Sequence, residues 1–296
     1  MKFQKLGLGD IGRLRPYFTG NRERICNLTV GGAFMWRDMC ETEYAVEDGT
    51  LFMKGGNYLP GVMSFAPPMS LSAPPEAHLG KIEEYCRENG LVPRLSSVPR
   101  GFLETVRCLY PAARWTTDAA WSDYLYNAED LAELAGRRYS GQRNHINRFR
   151  KLFDDWRFEA VGEGNLGRVR EFFETYSKER VRDDPVYAEG NAKALEVIDN
   201  MEAYRQLGGA LFAGDAVVGA AFGEISGDTL FVHTEKALTE YHGSYPMLVQ
   251  QFSRMYATVG VKYINREEDD GIEGLRVSKL SYHPRELLEK YNVELY

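Results

Sequence analysis

The chain has 296 residues, room for one large domain or two of ordinary size. Hydrophobic residues make up 44% and charged residues 27%, which excludes disordered and collagen-like classes. Lys and Arg number 36 against 43 Asp and Glu, and the net charge of -7 argues against non-specific coating of duplex DNA. In chain order, the first clear element is a hairpin. Tyr44–Glu47 and Thr50–Met53 flank Asp48-Gly49, a pair suited to a type I′ turn. Pro60 to Pro75 is rich in proline and reads as extended loop or edge strand. A helix over Glu76–Asn89 shows Leu79, Ile82 and Cys86 on one face and stops at Gly90. A strand over Leu91–Val98 and a helix over Gly101–Leu109 follow. Trp115 to Asp130 holds many aromatics, with a strand at Asp123–Asn127 and a helix over Asp130–Leu134.

The second half begins with helices over Glu163–Val181 and Glu189–Leu207. Strands at Gly209–Ala213, Ala216–Ile225 and Thr229–Lys236 have turns so short that they must form an antiparallel meander. In the next helix Leu248, Phe252, Met255 and Val259 make a core stripe that Gly260 ends. Val261–Asn265 is a strand, and Glu267 to Gly271 is an acidic turn. A further helix and a final strand complete this half. Helices, meander, helix, strand is the element order of the Gcn5-related N-acyltransferase fold. The first half has a similar order, so the expected class is α/β (α+β). It comprises tandem domains of that type, 1–118 and 119–296, with mixed, mostly antiparallel central sheets.

No stretch reaches the roughly 20 apolar residues of a membrane span, and Met1 to Leu6 shows no apolar leader core. The four cysteines, Cys26, Cys40, Cys86 and Cys108, are far apart, and none lies close to a histidine. A cytoplasmic protein with reduced thiols and no metal site is therefore expected.

Gly136 to Lys151 reads GRRYSGQRNHINRFRK and holds no acidic residue. Ser140 is placed to cap a helix from Gly141, and Ile146, Phe149 and Phe153 form its apolar stripe. Asn144, Arg148 and Lys151 share another face, and Arg143 and His145 add to the basic character. The segment reads either as a solvated face or as a site for phosphates, such as a tRNA backbone or lipid head group. Glu240 to Pro246 precedes the core helix where acyl-CoA enzymes of this fold place a glycine-rich pyrophosphate loop. Only Gly243 fits that pattern, and Pro246 removes a donor.

Gly271 to Pro284 reads GIEGLRVSKLSYHP. The pattern G-L-R-x-x-K-x-x-[FY]-x-P is met by Gly274, Leu275, Arg276, Lys279, Tyr282 and Pro284. With the RNHIN segment and the meander, it resembles the C-terminal domain of phosphatidylglycerol lysyltransferases, and more closely a soluble bacterial family built around that domain. The resemblance implies kinship with Fem-type aminoacyltransferases, an aminoacyl-tRNA ester as donor, and a hydroxyl or amine as acceptor. From spacing alone, Arg276 and Lys279 lie one helical turn apart on one face and read either as a cationic pair for a phosphate or carboxylate, such as the donor's, or as salt-bridge partners of Glu273 or the acidic turn.

Such chemistry needs a proton acceptor and a way to hold the tetrahedral oxyanion. No G-x-S-x-G is present, so a nucleophilic serine is not expected. The strand Thr229–Lys236 carries His233 and Glu235 on one face, and these are the candidates for proton acceptance or amine binding. Asp269 and Asp270 are candidates for the aminoacyl amine. The donor/phosphate set is Arg143, Asn144, His145, Arg148, Gly243, Arg276 and Lys279. The leading reading is an aminoacyltransferase without an intrinsic cofactor. It would use aminoacyl-tRNA and a small-molecule, peptide or lipid head-group acceptor. An acyl-CoA-dependent N-acyltransferase and a non-catalytic anion- or RNA-binding protein stay open as alternatives.

Overall fold

The computed structural model describes residues 1–19, 22–56, 62–179 and 185–296. The chain divides into two units, Met1–Asp123 with Glu268–Ile272 and Leu287–Tyr296, and Tyr124–Glu267 with Glu273–Glu286. The early elements are β1 (Gln4–Lys5), α1 (Ile11–Thr19), α2 (Val30–Met35), β2 (Glu43–Glu47), β3 (Thr50–Gly56), β4 (Met63–Phe65), β5 (Met69–Ser70), α3 (Leu79–Asn89), β6 (Arg94–Pro99), α4 (Arg100–Leu109) and β7 (Arg114–Thr117). Then come β8 (Asp123–Asn127), α5 (Ala128–Glu133), α6 (Ser140–Leu152), β9 (Arg157–Ala160), α7 (Leu166–Glu179), α8 (Pro185–Asp199) and α9 (Met201–Tyr204). The rest are β10 (Leu207–Ala213), β11 (Ala216–Ser226), β12 (Thr229–Ala237), α10 (Ser244–Tyr256), β13 (Tyr263–Asn265), α11 (Glu273–Leu280), β14 (Glu286–Leu288) and β15 (Lys290–Glu294).

Two mixed sheets result, ordered β1-β2-β3-β4-β6-β15-β7 and β14-β8-β13-β12-β11-β10-β9, with β5 beside β3. Both follow one path. Four antiparallel strands are followed by a helix, α3 or α10, which returns the chain to a strand parallel to the fourth. This is the mixed, mostly antiparallel α/β architecture of the acyltransferase-like fold that the element order implied.

Each unit builds its own hydrophobic core. In the first unit Leu79, Ile82 and Cys86 of α3 pack with Leu95, Val98 and Val293. In the second, Met247, Leu248, Val249 and Phe252 of α10 pack with Leu131, Phe149, Leu211 and Leu230. The hairpin forms as its turn residues require, with Asp48 and Gly49 at φ 49° and 71°.

Several boundaries differ from the sequence reading. The strand after α3 starts at Arg94, because Pro93 cannot donate to a ladder. The second predicted helix breaks at Asn200 into α8 and α9, and Leu207 belongs to β10. Helix α10 ends at Tyr256, so Val259 lies beyond it and is fully exposed rather than part of the core stripe. Ser140 is the first residue inside α6, not its side-chain cap. The final strand, assigned by the sequence reading to the second half, pairs with β6 and β7 in the first sheet. Pro60 and the predicted helix end at Val181 lie outside the described residues.

Candidate active site

Strands β12 and β13 pair in parallel only from Thr229↔Tyr263 to Phe231↔Asn265. Beyond that point residues 266 and 267 follow β8 instead. Arg266 N–H donates to Tyr124 O at 3.1 Å, and Tyr124 N–H donates to Glu267 O at 3.2 Å. Strand β12 runs on to Ala237, so the two strands part. At the parting β12 carries a bulge: Val232 pairs with Gly223 and Thr234 with Phe222, leaving His233 without a ladder partner. A side chain at position 223 would stand 2.1 Å from Phe231 O, so this close approach requires glycine.

The opening is bridged by charged side chains. His233, whose side chain is 1% exposed, lies between two carboxylates, with Nδ1 2.7 Å from Glu267 Oε1 and Nε2 3.0 Å from Glu224 Oε1. Ionised carboxylates only accept, so both ring nitrogens donate and the ring is an imidazolium. Burial opposes that charge, but the hydrogen bonds and charges of Glu224 and Glu267 outweigh it and raise the His233 pKa to about 10. Two residues along the strand, Glu235 accepts from Arg266 Nη2 at 2.7 Å. Arg266 is 8% exposed, and its guanidinium carbon lies 4.8 Å from the Tyr282 ring centre and 5.8 Å from that of Tyr126. Its Nε and Nη1 are buried without a hydrogen-bond partner among the described residues. Each such orphaned donor costs about 1–3 kcal/mol.

Glu267 takes φ 56°, a left-handed conformation that is costly for a residue with a side chain. Two neighbours hold it there. Asn265 Oδ1 accepts from Glu267 N–H at 2.7 Å, and Lys279 Nζ donates to the carbonyls of Arg266 at 2.6 Å and Glu267 at 3.2 Å. Tyr126 O–H in turn donates to Lys279 O at 2.8 Å. The strained loop therefore fixes adjacent residues, Arg266 and Glu267, against Glu235 and His233 of β12.

Comparison with known proteins places the chain in a family. The sequence profile of the phosphatidylglycerol lysyltransferase C-terminal domain matches residues 21–294. The chain belongs to this family. A conserved protein of unknown function from Bacteroides thetaiotaomicron is 29% identical, with 99% of both chains covered and a TM-score of 0.91. A C-terminal domain described as that of a lysylphosphatidylglycerol synthetase from Agrobacterium fabrum shares the fold, at 12% identity, 97% and 92% coverage and a TM-score of 0.70. An uncharacterised protein of Mycoplasmoides gallisepticum is 23% identical over 176 residues, which span 59% of this chain and 56% of that relative. The match thus spans about half the length of the curated relative.

The lysyltransferase-like tail motif converges on the loop. Lys279 supports the backbone of residues 266 and 267, and Tyr282 packs on the Arg266 guanidinium. Arg276 is half-buried on the same helix. In the basic helix α6, Arg143 donates to the carbonyls of Leu134 and Gly136 and so caps the end of α5. Asn144, His145 and Arg148 are exposed. Gly243 precedes α10 at φ 90°, and a side chain there would meet His145 O at 2.2 Å. Packing against α6 therefore explains this glycine without a pyrophosphate. Ser244 N–H is already bonded to Tyr241 O at 2.9 Å, and Pro246 has no N–H, so the first turn of α10 is poor in donors. Asp269 is fully buried and accepts from Gly271 N–H at 2.9 Å, while Asp270 is exposed; both belong to the first unit.

The sequence reading named His233, Glu235 and Lys279 but not Glu224, Arg266 or Glu267 as site residues. Glu267 had one local signal, the Asn two residues before it, which can hold a tight turn. Within the first unit, Cys26, Asp123 and Glu268 bring potential metal-ligand atoms within 4.8 Å of one another. Lys290 Nζ lies 2.7 Å from Asp123 and 3.0 Å from Glu268, so an ammonium already supplies the positive charge. Burial opposes the charge of Glu268, but Lys290 and the bond with Asp123 hold its pKa down at about 2. No helix among the described residues is long and apolar enough to cross a membrane.

Proposed function

We propose that this chain moves an aminoacyl group from the ester of aminoacyl-tRNA to an amine or hydroxyl acceptor by direct attack. The observation that carries this reading is the pair of charged clamps, His233 with Glu224 and Glu267, and Glu235 with Arg266, in the opening between β12 and β13. An activated ester needs no covalent enzyme intermediate, only positioning, a proton acceptor and charge stabilisation. Glu267 takes the proton of the acceptor, because its side chain is 19% exposed while both nitrogens of His233 are engaged. His233 positions Glu267, and Lys279 positions the loop that carries it. The exposed face with Asn144, His145 and Arg148 offers a seat for the tRNA backbone. The acceptor is a small molecule, a peptide or a lipid head group. The few donors at the start of α10 favour tRNA over coenzyme A.

Equilibrium binding of a fluorescent aminoacyl-tRNA at two salt concentrations, with acetyl-CoA as competitor, tests this reading. Saturable, salt-sensitive binding that acetyl-CoA leaves unchanged is the expected result. Displacement by micromolar acetyl-CoA, or an absence of tRNA binding, would refute it.

A further inference from the structure

The guanidinium of Arg266 is more than nine-tenths buried, yet only Nη2 has a hydrogen-bond partner. Nε and Nη1 call for an acceptor that the described residues do not supply. The cation is not free to turn away. Glu235 holds one nitrogen, Tyr282 and Tyr126 bound the group, and Lys279 fixes the backbone from which the side chain springs.

Two features define the missing acceptor. The first is charge. Arg266, His233 and Lys279 are balanced by Glu224, Glu235 and Glu267, so the surroundings are formally neutral. A phosphate would bring at least one full unbalanced charge into them. A carbonyl oxygen brings only the charge that develops during reaction. The second is spacing. Arg266 is tied to Glu235 and Glu267 to His233, two residues apart on β12, a separation of about 6–7 Å. A tetrahedral carbon with its oxygen at one group and its nucleophile at the other, each contact about 3 Å, fills such a span.

We propose that Arg266 receives the carbonyl oxygen of the transferred acyl ester and holds the negative charge that forms on it. The inference rests on the acyl-transfer reading above. The acceptor nitrogen or oxygen forms its bond to the carbonyl carbon, the π pair moves onto the oxygen at Arg266, and the acceptor's proton passes to Glu267. The pair then returns, the bond from carbon to the ribose oxygen breaks, and Glu267 returns the proton to that oxygen. Atoms and electrons balance without a cofactor. Arg266 acts here as a preorganised donor in a water-poor site, where a fixed dipole or charge has most effect.

The test is calorimetric and needs no turnover. Amide-linked 3′-aminoacylamido-3′-deoxyadenosines of the proteinogenic amino acids serve as donors with a planar carbonyl. The phosphonamidate counterpart of the best binder carries a tetrahedral oxyanion in its place. The wild-type chain binds the phosphonamidate about a hundredfold or more tighter than the amide. Arg266→Lys and the paired change Arg266→Gln with Glu235→Gln abolish that preference, because they weaken the phosphonamidate far more than the amide, whose neutral carbonyl gains less from the cation. The paired change removes both buried charges, so Glu235 is not stranded, and Arg266→Lys keeps a cation beside it. An amide that binds without any phosphonamidate preference, or a preference that survives Arg266→Lys and the paired change, overturns the inference and leaves the donor site standing. If no amide binds the wild type, the aminoacyl-donor reading fails and the inference falls with it.

Discussion

Replacing His233 with Gln separates the two carboxylates from their shared cation. Glu224 is left 8% exposed and Glu267 19% exposed, with one neutral donor where an imidazolium stood. Breaking a buried pair in this way costs about 3–5 kcal/mol at pH 7. The pH dependence is more diagnostic than the magnitude. The folded pKa is about 10 against an ordinary 6.5, so the folded chain holds one extra proton between those values. Stability from this group is therefore complete below about pH 6.5 and is lost as pH rises toward 10. The linkage slope is about -1.4 kcal/mol per pH unit, or roughly 2.7 kcal/mol between pH 7 and pH 9. Urea unfolding of both proteins at pH 7, 8 and 9, followed by circular dichroism and tryptophan fluorescence, measures it. The gap between wild type and His233→Gln should shrink by about that amount across the range. Parallel curves, with a gap independent of pH, would show that His233 is neutral in the fold and would sink the imidazolium argument.

Three further outcomes follow from the same structure. Lys290→Met strands Asp123 and Glu268 in the first unit and should cost about 3–5 kcal/mol in urea unfolding at pH 7. Because Glu268 is held down at about pH 2, its contribution is present above about 4.5 and fades as pH falls toward 2; the variant should lose that acid dependence. Gly243→Ala drives a methyl toward His145 O in a left-handed conformation, and should lower stability by more than about 1 kcal/mol in the same assay. Arg148→Ala removes an exposed charge, so the unfolding midpoint should not move. The slope of log affinity for tRNA against log salt should fall by about one.

Local pattern carried much of the fold. The Asp48-Gly49 turn, the strand Asp123–Asn127, the meander and the core faces of α3 and α10 follow from periodicity and turn chemistry acting within a few residues. Periodicity has no means of seeing a ladder's partner. The sequence therefore could not say that β15, which starts at Lys290, joins the first sheet beside β7, which ends at Thr117, or that β8 lies beside β13. Nor could it end α10 three residues before Val259, where the chain turns away from the core.

The site divides along the same line. The spacing of His233 and Glu235 on one strand, and of Lys279 and Tyr282 in the tail motif, was visible in the sequence because each pair is local. Their functions in the structure were not. Arg143, one of the most basic-looking candidates, caps a helix, and Gly243 answers to the backbone of His145. Residue type and spacing determined which groups could meet on one face. The separation of β12 from β13, the bulge at His233 and the left-handed turn at Glu267 decided which ones do. Those features depend on strands brought together across long stretches of chain, where the burial of a charge and the supply of its partner are settled only by packing.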